Sequence, residues 1–91
     1  MDASSRPRLA SKARLRFDRK SSRYMLLYPE RGLVLNPTAA DVLQRCTGER
    51  TVSSIVDELA QKYGHEAPDV EREVMDFLQT MADRGLVQAA L

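Results

Sequence analysis

The side chains best equipped for chemistry here are one cysteine, Cys46, one histidine, His65, and two close acidic pairs, Asp57–Glu58 and Glu71–Glu73. A nucleophile needs a base within hydrogen-bond reach. Cys46, however, falls on the apolar stripe of one predicted helix and His65 in a loop between two others, and nothing in their spacing unites them. The acidic pairs lie on regular helices, where carboxylates form solvated faces. No Cys/His spacing suits a metal, and Gly32, Gly48, Gly64 and Gly85 are too scattered for a phosphate-binding loop. The sequence therefore predicts no catalytic residue, no metal and no cofactor. It reads as a binding protein, not an enzyme.

Ninety-one residues with 43% hydrophobic and 30% charged side chains suit one globular domain with a single core. A lone cysteine excludes an internal disulfide and fits a reducing compartment. The longest apolar run, Tyr24–Tyr28, is too short to span a bilayer. The N-terminus has no apolar stretch like a signal peptide's, so the expected location is cytoplasmic. Charge is uneven: residues 1–23 hold eight basic and two acidic side chains, residues 24–91 six basic and eleven acidic. Residues 1–12 read as a flexible basic arm and residues 13–91 as the folded domain.

The elements follow from periodicity and breakers. Leu15 and Phe17 alternate with Arg14, Arg16 and Asp18, the period of a strand with one wet face. Tyr24–Tyr28 is apolar on both faces, as a central strand would be. Pro29 then fits a turn that Gly32 closes with a positive φ, and Leu33-Val34-Leu35 returns as a third strand. Asn36 and Pro37 open a helix to about Cys46. Thr51 opens a second, with Val52, Ile55, Val56, Leu59 and Tyr63 along one stripe and Gly64 at its end. Pro68 and Asp69 open a third, with Val70, Val74, Phe77, Leu78 and Met81 on its core face, and Leu86-Val87 folds back on the core. Three strands followed by three helices predict an α+β domain: a three-stranded antiparallel meander and three helices, winged-helix-like.

Winged helices often bind DNA, but the third helix carries five acidic residues against two arginines from Pro68 to Arg84, which phosphate would repel. The more telling feature is the third strand. An outer strand is usually blunted by charge or proline, and the first strand obeys with Arg14, Arg16 and Asp18. Gly32-Leu33-Val34-Leu35-Asn36 has no charge at all. Such an edge is either covered by the chain itself, paired with a second copy in a homodimer, or completed by a peptide that adds a strand. A nucleic-acid-binding winged helix and a self-associating structural subunit remain the alternatives.

The order and spacing of "LLYPERGLVLN", "LNPTAADVL", "GERTVSSIV" and "DFLQTMADRGLV" resemble the PqqD proteins of pyrroloquinoline quinone biosynthesis, over about residues 14–88. Arg45 and Thr47 stand where that pattern more often has an apolar and an acidic residue. The resemblance implies a peptide chaperone, a precursor-peptide recognition domain that binds a ribosomal peptide of the PqqA type. It would present that peptide to a radical S-adenosylmethionine enzyme of the PqqE type. It also implies a groove between the third strand and the third helix. Carried onto this chain, the strand side is Leu33, Val34, Leu35 and Asn36, and the helix side is Met75, Leu78, Gln79 and Ala82.

Overall fold

In the computed structural model, which describes residues 1–29 and 31–90, the chain runs β1 (Arg6–Leu9), β2 (Arg14–Asp18), β3 (Arg23–Tyr28), β4 (Arg31–Val34), α1 (Pro37–Gln44), α2 (Val52–Tyr63), α3 (Ala67–Asp83) and β5 (Val87–Ala90). The expected meander is present as an antiparallel sheet in the order β2-β3-β4. Leu15 pairs with Leu26 and Leu26 with Leu33, so these three side chains share the face that meets the helices. Arg14, Arg16, Met25, Leu27, Gly32 and Val34 take the outer face.

Two details of β4 differ from expectation. The strand starts at Arg31, paired with Tyr28, so a charge stands at its first position. Gly32 is not the positive-φ residue of the turn but a strand residue opposite Leu27. A Cβ there would meet Met25 Cε at 3.1 Å and Leu27 Cδ2 at 3.2 Å, so glycine lets those two side chains lie flat across the outer face. Glu30, inside the predicted turn, lies outside the described residues.

The helices form where their caps predict. Asn36 Oδ1 accepts from Ala39 N–H at 2.8 Å, with Pro37 in the first turn of α1. Thr51 Oγ1 accepts from Ser54 N–H at 3.1 Å, and Gly64, at φ 67°, ends α2 in the left-handed conformation that suits glycine. Helix α3 starts one residue before Pro68 and buries Val74, Leu78 and Met81 against the core. Leu86 and Val87 are buried as expected.

The stretch read as a flexible arm holds a strand. β1 pairs antiparallel with β5 in a second, two-stranded sheet, Arg6 opposite Ala90 and Leu9 opposite Val87. Pro7, which argues against a strand in a sequence, costs no ladder bond. Its carbonyl accepts from Gly48 N–H at 2.9 Å, so its backbone faces away from β5 and the missing N–H has no partner to lose. Just upstream, the carbonyls of Ser5 and Ala3 accept from Val52 N–H and Ser53 N–H, each at 2.9 Å. With the Thr51 cap, the first three N–H groups of α2 are satisfied. The N-terminal segment is therefore a strap across the start of α2, and its pairing, made with residues some eighty positions away, leaves no local signature.

Candidate functional site

Strand β4 is the open edge. Leu35 N–H donates to Tyr24 carbonyl at 2.9 Å, so Leu35 turns its backbone toward β3. Backbone direction alternates along a strand, which sends Leu33 the same way and leaves Gly32 and Val34 facing outward. Among the described residues β4 has no strand on that side. Val34 is also 52% exposed, one of the few large apolar side chains so placed.

Two clefts bracket this edge. One, of about 340 Å³, is lined by Asn36 at the end of β4, by Val42, Leu59 and Tyr63 from α1 and α2, and by Val70, Glu73, Val74 and Phe77 of α3. The other, of about 560 Å³, lies at the start of β4 and is lined by Lys12, Tyr28, Pro29, Arg31, Arg84 and Leu86. The strand and α3 thus run past each other in opposite directions with a recess at each end. At about 100° per residue, Val70, Glu73, Phe77 and Arg84 form one flank of the buried stripe of α3, and Met75, Gln79 and Ala82 form the other.

The predicted residues divide accordingly. Val34 stands at the free edge, and Asn36 both caps α1 and lines the first cleft. Leu33 is partly buried against the core, and Leu35, 4% exposed, belongs to it. On α3, Leu78 has no exposed surface and sits at the centre of the core stripe, while Met75, Gln79 and Ala82 line neither cleft. Val70 and Phe77, assigned to the core by their spacing, do pack against it while partly buried, and they also line the first cleft. Gly32, Glu73 and Arg84 were missed. The outward turn of Gly32 could not be read from the sequence, because it depends on the register with β3 that the Leu35–Tyr24 bond fixes. Nor could the phase of α3, because apolar residues occur on both flanks.

Among the described residues, Cys46 and His65 do not come together. The Cys46 thiol is buried, donates to Val42 carbonyl at 3.2 Å, and is pushed up to about 12 by burial. His65 is exposed at the rim of the first cleft. Among the described residues no group of three or more His, Cys, Asp or Glu could hold a metal, and no helix is long and apolar enough to cross a membrane.

The strongest electrostatic feature lies beside the first cleft and shares Tyr63 with it. Asp41 of α1 accepts from Lys62 Nζ at 3.0 Å through both oxygens and from the Tyr63 hydroxyl. Arg45 Nη1 donates to Asp41 carbonyl at 2.9 Å, and Arg45 Nε lies 3.1 Å from Glu58 Oε1, close enough for an ion pair but not aligned for a hydrogen bond. Arg45, the departure from the family pattern, thus ties α1 to α2. Burial alone would raise the Asp41 carboxyl; the Tyr63 and Lys62 hydrogen bonds and the charges of Lys62 and Arg45 outweigh it and hold the group below the usual carboxylate range. The sign follows. A carboxyl depressed by folding adds stability above its unfolded pKa of about 3.9, and that stability drains away as pH falls through the folded value. Asp41→Asn is expected to cost about 1–2 kcal/mol at pH 7, with the difference from wild type shrinking toward pH 3. Urea denaturation at the two pH values measures it; a difference that is equal at both would exclude the charged network as its source.

Two solved structures share this fold. The solution structure of the PqqD truncation of Methylobacterium extorquens PqqCD, described as a stand-alone RiPP recognition element, superposes with a TM-score of 0.83 at 33% identity, covering 97% of this chain and 94% of that one. The crystal structure of PqqD from Xanthomonas campestris gives 0.61 at 30% identity, covering 97% and 98%. Among sequences, a PqqA binding protein of Rhodopseudomonas palustris strain BisB5 is 42% identical over 86 residues, 94% of this chain and 84% of its own. One from Methylococcus capsulatus is 36% identical over 75 residues, 82% of this chain and 78% of its own. The family model for coenzyme PQQ synthesis protein D matches residues 23–87, from the start of β3 through all three helices to the first residue of β5. On that span and these relatives, the chain belongs to the PqqD family.

Proposed function

We propose that this domain binds a ribosomal precursor peptide of the PqqA type by strand addition along β4 and presents it to a radical S-adenosylmethionine enzyme of the PqqE type. The observation that carries this reading is the outward-facing backbone of Gly32 and Val34 on an edge that no other strand among the described residues covers, with a recess beside α3 at each end. Main-chain bonds along such an edge supply affinity, and side-chain recesses supply selectivity. The relatives named for PqqA binding and the structure described as a recognition element support the choice of peptide. Catalysis lies wholly in the partner enzyme, in the cytoplasm where the peptide is made. The domain raises the local concentration of substrate. With the peptide on the edge, the outer face stays uncovered for the enzyme. There Met25, Leu27 and Val34 form an apolar strip beside Arg14 and Arg16.

Titrating the isotope-labelled domain with the precursor peptide is the direct test. The largest amide shifts are expected at Gly32–Asn36 and along the Val70–Arg84 flank of α3. Shifts confined to the β1–β5 sheet would sink the reading. A second copy paired through β4 would compete with peptide, and appears as a concentration-dependent mass that added peptide lowers.

A further inference from the structure

The two recesses beside the β4 edge are chemically unlike. The one at Arg31 brings together Lys12, Arg31 and Arg84, three exposed cations, and no carboxylate among the described residues lines it. None of the three forms an ion pair among the described residues. The one at Asn36 is walled by Val42, Leu59, Val70, Val74 and Phe77, and among the described residues Glu73 is its only acidic lining residue and no Lys or Arg lines it. An extended segment lying on the edge therefore meets a cationic socket at one end and an apolar one at the other.

Two rulers agree on their separation. Arg31 to Asn36 is five residue steps, about 16 Å at strand rise. Val74 to Arg84 is ten steps, about 15 Å at helical rise. On an added strand that distance is close to five residues, but side chains on one face recur every second residue. Two side chains pointing into the recesses on the helix side must then be four or six residues apart.

We infer that the bound segment is read by charge as well as by backbone. A carboxylate side chain seats among Lys12, Arg31 and Arg84, and an apolar side chain four or six residues away in the same segment fills the recess at Asn36. Glu73 repels an acidic residue from that second recess, so the pair of sockets fixes both register and direction. Arginine is suited to the first by its fork of donors, which a carboxylate can accept in pairs. This rests on the strand-addition reading above.

The test uses the full domain, a synthetic PqqA-type precursor peptide, and a Lys12→Gln/Arg31→Gln/Arg84→Gln triple variant. All three positions are exposed, and an unchanged melting temperature checks that the variant folds. Each acidic residue of the peptide is replaced in turn by glutamine, and affinities are measured by fluorescence anisotropy. One replacement is expected to weaken binding to wild type about five-fold while leaving binding to the triple variant unchanged. Alanine at an apolar residue four or six positions from it should weaken binding to both proteins but not to a Phe77→Ala variant. The inference is overturned if peptide binds wild type and triple variant within two-fold of each other, or if no acidic position couples to the three cations. Strand addition would survive either result. A peptide that fails to bind wild type at all overturns both.

Discussion

Replacing Val34 with proline is expected to weaken precursor-peptide binding at least ten-fold while leaving the melting temperature within a few degrees of wild type. The Val34 N–H points away from β3, because its neighbour Leu35 donates to Tyr24 carbonyl on the other side. Proline at 34 therefore removes a donor that makes no bond within the sheet. Its ring would also stand where an added strand must approach. Ten-fold is about 1.4 kcal/mol, within reach of one lost hydrogen bond plus the steric misfit. Val34→Ala controls for the exposed side chain, since it trims the apolar surface and keeps the donor. Leu33→Pro supplies the contrast: its N–H faces β3, so it should destabilise the domain outright. Calorimetry showing full affinity for Val34→Pro would end the strand-addition proposal, whatever the family relationship.

The second large effect concerns the other sheet. Deleting residues 1–9 is expected to lower stability by at least about 3 kcal/mol, a drop of roughly 15 °C in melting temperature for a domain of this size. The deletion removes the fully buried Pro7 and the partner of β5. It also takes the Ala3 and Ser5 carbonyls from the start of α2 and uncovers Val52 and Val87, both now buried. Thermal unfolding followed by circular dichroism reads the effect. A truncated protein that melts with wild type would mean the segment is only a tail, as its composition suggests.

The contrast between these two regions explains what was legible. The meander, the Asn36 and Thr51 caps and the Gly64 stop rest on signals confined to a few neighbouring residues, and each is where periodicity and cap chemistry place it. Strands β1 and β5 are four residues each, one carrying Arg6, Pro7 and Arg8, and their pairing is non-local. Nothing short-range announces them. The edge of β4 was legible as the uncharged run that follows Arg31, but not which of its residues turn outward. That depends on the register with β3, which Leu35 and Tyr24 fix. On α3 the ambiguity is sharper. Val70 and Phe77 lie on one side of the stripe and Met75 and Ala82 on the other, all apolar enough to face either a core or a ligand. Only the packing of α3 against α2 and the sheet decides which flank meets the clefts.

The ladder that joins Arg6 to Ala90 closes a loop of nearly the whole chain. Among the strand pairings of the described residues, closing it carries the largest loop-entropy cost, so it is expected to form last as the chain folds. On the ribosome, β1 emerges well before β5 and must wait for it. Until then the start of α2 lacks its strap, and a newly made molecule can hold a complete β4 edge while its opposite sheet is still unmade.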